Sequence, residues 1–139
     1  MRQHISELHI ATRGQGLYDI TGEVKKAARA SGLSQGLVTV FCRHTSCSLI
    51  INENADPDVR HDLEHFLRRL VPENDPAYVH TIEGPDDMPA HIKTALTSTS
   101  LGIPLMGGAL ALGTWQAVYL FEHRSAPHSR HIIVQAMGE

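Results

Sequence analysis

Between Ile103 and Met137 the chain is a succession of short strand-like runs: Ile103–Met106, Ala109–Leu112, Thr114–His123 and His131–Met137. A Gly107-Gly108 turn and a loop at 124–130 punctuate them. Such closely spaced runs leave no room for crossover helices, so they favour antiparallel pairing over alternating βαβ units. The first half reads the same way. Residues 4–12 alternate, with Ile5, Leu8 and Ile10 apolar, and GQG at 14–16 makes a turn. Gly36–Arg43 is β-branched and apolar, as a buried strand requires, and Ser48–Asn52 continues extended after a polar His-Thr-Ser step.

Helices are few and short. Asp19 or Thr21 can cap one over Glu23–Ala30, which Gly32 ends. Asp56-Pro57 starts a second, with a capping acid followed by proline where its missing N–H costs nothing. Val59, Leu63, Phe66, Leu67 and Leu70 then recur at helical spacing, and Pro72 stops the run. Residues 73–88 read as loop, with Tyr78–Thr81 a candidate short strand, and Pro89–Ser98 as a third helix. Strand runs with two or three short helices imply an α+β fold with a largely antiparallel sheet.

The length, 139 residues, suits one domain spanning 1–139, and no linker, repeat or low-complexity tract divides it. A net charge of −3 and no Lys/Arg-rich face argue against nucleic acid as partner. MRQHISELHI lacks a basic segment followed by an apolar run, so no signal peptide is expected. Ile103–Leu112 is too short and too broken to span a bilayer, so no membrane partner is expected either. Cys42 and Cys47 form neither a disulfide framework nor a CxxC pair, which makes a reducing, cytoplasmic setting the default. GxGxxG after a strand and GxxxxGK[ST] are both absent.

The unusual number is ten histidines. His61 and His65 have i, i+4 spacing, but on the polar side of their helix and without an HExxH arrangement. His4, His9, His128 and His131 read as surface residues. His44, His80 and His91 each stand where an ordered element meets a loop, beside small or hydroxyl-bearing residues. If they converged, three imidazoles would hold a transition ion such as zinc and leave a position open for a small-molecule substrate. Spacing alone does not bring them together. Asp56, Asp86 and Asp87 fit helix capping, whereas Glu53 has no such explanation. Arg124 and Arg130 flank the last hairpin loop. They suit either bidentate anion binding or plain surface solubility.

The blocks HTSCSLIINENADPDVRHDLE, EGPDDMPAHIKTALTSTSLGIPL, LGTWQAVYLFEHR and SRHIIVQAMGE together resemble the YjbQ-like family, over essentially the whole chain. The resemblance implies two packed, mainly antiparallel sheets in a sandwich-like α+β fold, and a homotrimer. It implies a secondary thiamine-phosphate synthase activity, joining a hydroxymethylpyrimidine diphosphate to a thiazole phosphate. It places family histidines at His44, His80 and His91, and matches Glu53 and Asp56, Gln116, Arg124 and Arg130 to family segments. Glu53, Ser46 and Gln116 are thus the candidate catalytic residues, Arg124 and Arg130 the anion grip, and Asp86 and Asp87 supporting acids. Cys47 departs from the family's usual small residue. Diphosphate departure calls for magnesium among oxygens, whereas a histidine site suits zinc, nickel or iron. A metal-dependent hydrolase or lyase of a small phosphorylated or heterocyclic metabolite, and a non-catalytic binding trimer, therefore stand beside the synthase reading.

Overall fold

The computed structural model describes all 139 residues, Met1–Glu139. In chain order the elements are β1 (Arg2–Thr12), β2 (Gly16–Asp19), α1 (Thr21–Ala30), β3 (Gly36–Cys42), β4 (Cys47–Glu53) and α2 (Pro57–Leu70). Then follow α3 (Asp87–Leu96), β5 (Ser100–Met106), β6 (Ala109–Leu110), β7 (Gln116–Glu122) and β8 (His128–Gly138). One sheet has the order β1-β8-β3-β5-β6 and the other β2-β7-β4. All pairings are antiparallel, and three short helices accompany the two sheets. The α+β sandwich expected from the strand runs and the family blocks is the fold observed.

β8 pairs with β1 on one side and β3 on the other, from Arg2↔Gly138 to Cys42↔Ile132. Its side chains alternate as a half-buried strand must: Arg130, Ile132, Val134 and Ala136 face inward. Val38 and Val40 of β3 join them, facing Leu49 of β4 with Val118 and Leu120 of β7. Val24, Ala27 and Ala28 of α1 complete this core. Each buried Val, Leu or Ile contributes about 1.5–3 kcal/mol. The start of β3 lies so close to the end of β8 that only glycine fits. A Cβ on Gly36 would sit 2.0 Å from the Met137 carbonyl oxygen, and one on Gly138 1.9 Å from that of Gln35.

α2 starts as its sequence dictates, with the Asp56 carboxylate accepting the Asp58 N–H at 2.9 Å and Pro57 in the first turn. None of its residues is buried, and Phe66 and Leu70 remain 53% and 55% exposed.

Several elements depart from the sequence reading. Tyr78–Thr81 is not a strand, because no neighbouring strand offers its backbone partners; Tyr78 Oη instead donates to the Pro72 carbonyl at 2.9 Å. β2 occupies residues read as a turn and a cap, since Leu17 and Tyr18 find Phe121 and Leu120 of β7 across the sheet. The N-cap position of α1 falls on Ile20, which makes no side-chain bond, while Asp19 Oδ1, one residue earlier, accepts the N–H of Thr21 at 2.9 Å. α3 begins at Asp87, ahead of Pro89, which its first turn tolerates because N–H groups there have no helical acceptor. Its N-cap residue Asp86 makes no side-chain cap, and both acids turn to other partners. The start of α3, the loop after β7 and the loop between β3 and β4 meet at one place.

Candidate functional site

Asp87 opens α3 with its side chain 2% exposed, where the helix dipole favours a negative charge. Its Oδ1 accepts from Arg124 Nη1 at 2.7 Å. Arg124 Nε donates to Asp86 Oδ2 at 2.9 Å and its Nη2 to the Glu83 carbonyl at 3.0 Å, so one guanidinium ties the loop after β7 to the start of α3. The second oxygen of Asp87, Oδ2, faces His80 Nε2 at 2.6 Å and His91 Nε2 at 3.0 Å. Burial works to raise the Asp87 carboxyl, but the His80 contact and the charges of His91 and Arg124 outweigh it and hold it below the usual carboxylate range. Asp86 is likewise lowered: burial opposes, while the Ser125 N–H and Arg124 prevail.

His91 stands one helical turn after Asp87, on the same face of α3. Its Nδ1 lies 2.8 Å from the Thr45 carbonyl oxygen, which can only accept, so Nδ1 carries the hydrogen. A neutral ring aims the Nε2 lone pair at a carboxylate that is also acceptor-only, whereas a protonated ring donates its Nε2–H to it. Two acceptors at 3.0 Å repel unless a proton or a metal cation lies between them. A ring N–H fixed by a backbone carbonyl, which leaves the other nitrogen to an ion, is a usual setting of a metal-ligating histidine.

The ligand atoms of His80, Asp87 and His91 lie within 4.8 Å of one another and form a set that can hold a metal ion. Tetrahedral zinc ligands stand about 3.3 Å apart. The observed 2.6 and 3.0 Å would have to open by about 0.7 and about 0.3 Å to admit an ion. Beside His80 a cleft of about 240 Å³ is lined by Asn74, Asp75, Tyr78, Thr81 and Met88, with no Lys or Arg on its walls. A second set, Glu7, His9 and His131, lies on the exposed side of β1 and β8, where His9 and His131 are directly cross-strand. His131 Nδ1 donates to Glu7 Oε1 at 2.8 Å there.

The structure thus brings His80 and His91 together, with Asp87 as third member. It does not bring in His44, whose Nε2 accepts the backbone N–H of His131 at 2.8 Å. Burial, and after it the charge of Arg130, depress the His44 pKa, which suits a neutral ring accepting that bond. Ser46 Oγ accepts from Arg130 Nη2 at 3.0 Å. Arg130 is not free to grip an anion: its Nε donates to Glu122 Oε1 at 2.7 Å and its Nη2 bonds Glu122 Oε2, in a pair with both side chains at most 4% exposed. Glu53 Oε2 accepts the N–H groups of Ala55 and Asp56, both at 3.0 Å, and so shapes the turn into α2. Gln116 Oε1 accepts the Gly113 N–H at 2.8 Å. Asp87 as a candidate ligand was readable from its i, i+4 spacing to His91, but a capping role sufficed to account for it. Glu122 and His123, both fully buried, carried no comparable local signal.

The model of the family described as UPF0047 protein YjbQ-like matches residues 6–139. The chain belongs to the YjbQ-like family. UPF0047 protein sll1880 of Synechocystis is 54% identical over 138 residues, covering 99% of this chain and 94% of that protein. YjbQ of Escherichia coli O157:H7 is 43% identical, covering 95% and 96%. A crystal structure from Clostridium acetobutylicum, described as an uncharacterized conserved protein of the yjbq/upf0047 family, aligns with TM-score 0.88 at 40% identity, covering 95% and 99%. A conserved hypothetical protein from Thermus thermophilus aligns at TM-score 0.84 and 36% identity, covering 95% and 99%. This YjbQ-like chain has no helix long and apolar enough to cross a membrane.

Proposed function

We propose that this YjbQ-like protein is a metal-dependent hydrolase or lyase of a small phosphorylated or heterocyclic metabolite, with a divalent ion held by His80, Asp87 and His91. The observation that carries this reading is His91: its Nδ1–H is fixed on the Thr45 carbonyl while its Nε2 faces the Asp87 carboxylate. The mixed nitrogen and oxygen donors suit a borderline ion such as zinc better than magnesium, which asks for oxygen alone. Such an ion supplies Lewis acidity and a more acidic bound water. Arg124 orients Asp87, Thr45 sets the His91 tautomer, and the cleft beside His80 admits a small molecule.

The synthase reaction implied by the family label needs a grip on diphosphate. Arg124 and Arg130 are both engaged by carboxylates, which favours hydrolysis or elimination over that transfer. A homotrimer belongs to the same proposal. Phe66 and Leu70 of α2, Leu37 and Phe41 on the outer face of β3, and the loop residues Val79 and Ile82 offer apolar surface for a second copy to cover. The free, buried Cys42 and Cys47 support a reducing, cytoplasmic setting.

Elemental analysis of protein loaded with zinc tests the centre. Wild type and His61→Ala are expected to retain the ion, and His91→Ala to lose it with the fold intact. Equal content in wild type and His91→Ala overturns the proposal. Turnover of phosphorylated and heterocyclic substrates, with the pyrimidine diphosphate and thiazole phosphate pair as one arm, is expected to stop on adding a chelator.

A further inference from the structure

We propose that Cys42 and Cys47 form a reversible, intrachain disulfide site that a small peroxide can close. The two residues end β3 and begin β4, which lie in different sheets, and their sulfurs meet in the core between them at 3.4 Å. Cys42 Sγ is also 3.5 Å from the Cys47 carbonyl oxygen, so the sulfur of one thiol sits over the backbone of the other. Bond formation requires the sulfurs to close to about 2.0 Å, a movement of little more than an ångström.

The pair is asymmetric. Cys42 is drawn below the ordinary thiol value, first by its hydrogen bond with Cys47, against the effect of burial and with help from the His44 backbone N–H and Arg130, while the same contact pushes Cys47 up. Cys42, the less deeply buried of the two, is assigned the attacking role. Its thiolate attacks one peroxide oxygen, forming an S–O bond as the O–O bond breaks and hydroxide leaves to take up a proton. The Cys47 sulfur then attacks the Cys42 sulfenic sulfur, forming the S–S bond, breaking S–O and releasing water with the Cys47 proton. The two thiols lose two electrons, and one hydrogen peroxide becomes two waters. With Cys42 1% and Cys47 0% exposed, a glutathione-sized disulfide is shut out, so the oxidant has to be as small as hydrogen peroxide.

The loop spanned by the pair, Arg43–Ser46, reaches several groups. His44 Nε2 holds the His131 N–H, the Thr45 carbonyl holds His91 Nδ1, and the Ser46 carbonyl accepts both the His123 N–H and Arg130 Nη2. Closing the disulfide pulls on both ends of this loop, so oxidation reaches the His91 ring through Thr45. That coupling is structural and holds with or without a metal.

The test treats reduced full-length protein with a few equivalents of hydrogen peroxide, then denatures it and adds a thiol alkylating agent. The expected product is a monomeric chain lighter by two hydrogens, closed to alkylation and restored by dithiothreitol. Glutathione disulfide should leave the folded protein unchanged. Cys47→Ser should instead stop at the sulfenic acid, detectable with dimedone. Thiols still open to alkylation, sulfinic acid at both residues, or disulfide-linked dimers would each overturn the site. Histidine ring NMR of the oxidised chain should show His91 shifted and His61 unmoved. An unmoved His91 in fully oxidised protein would remove the coupling and leave only the disulfide.

Discussion

Asp87 Oδ2 stands 3.0 Å from His91 Nε2 while the other nitrogen of that ring is held by a carbonyl oxygen 2.8 Å away. The carboxylate is nearly buried and its far oxygen is fixed by Arg124. Asp87→Asn keeps the volume but replaces an anionic ligand by a neutral amide. Zinc affinity is expected to fall by more than tenfold, as measured by competition with a chromogenic chelator. Arg124→Gln leaves the three ligands in place but unanchors Asp87, so a smaller loss is expected, within the roughly 10–100-fold that such orienting partners contribute. A larger effect from Arg124→Gln than from Asp87→Asn would contradict this hierarchy.

The Arg130–Glu122 pair predicts stability rather than activity. Burial works to raise the Glu122 carboxyl, but Arg130, Thr12 and the backbone N–H of Arg124 outweigh it and hold it ionised. Arg130→Met leaves that charge buried and uncompensated, at a cost of about 3–5 kcal/mol. Adding Glu122→Gln removes the orphaned charge, so the double variant is expected to recover part of the loss in urea unfolding. Additive destabilisation would show that Arg130 acts through packing alone.

How much of this was legible depends on how local each cause is. The start of α2 was readable because Asp56 and Pro57 act on their own backbone. β2 was not, since Gly16–Asp19 becomes a strand only by pairing with β7, a hundred residues on. His80 and His91 were recognisable at element boundaries beside a loop. The same criterion also selected His44, because a boundary position does not reveal where a lone pair points; here it meets the His131 N–H. Glu53 looked surplus for the corresponding reason. Its partners are the N–H groups of Ala55 and Asp56, in a turn that spacing alone does not define.

The assembly prediction follows from apolar groups that the single chain leaves uncovered. Phe41 is 46% and Phe66 53% exposed, on the outer face of the larger sheet and on α2 respectively. Light scattering at micromolar concentration is expected to give a trimer mass. Phe41→Glu and Phe66→Glu, made separately, tell which face lies in the contact, because a charge buried there without a partner dissociates it. A monomer in the wild type would refute the trimer.

His123 supplies the pH dependence. Its ring is 1% exposed, with Nε2 2.9 Å from Ser48 Oγ. Burial first, and then the nearby charge of Lys93, pull its pKa down to about 3. The unfolded chain takes up this proton near the ordinary value of about 6.5, and the folded one resists it. The stability contributed by the neutral ring is therefore complete above about pH 6.5 and is lost as pH falls from there towards about 3. Each pH unit within that window costs about 1.4 kcal/mol from this one group. Urea unfolding from pH 7.5 down to about pH 5 should show no pH dependence from this group above about pH 6.5 and that slope emerging below it in wild type, added to whatever the other groups contribute. His123→Gln has no proton to gain, so its stability, though lower at pH 7.5, should fall by about 1.4 kcal/mol less per unit below pH 6. Parallel pH profiles for the two proteins would mean that His123 titrates normally in the folded state and that its burial is not maintained in solution.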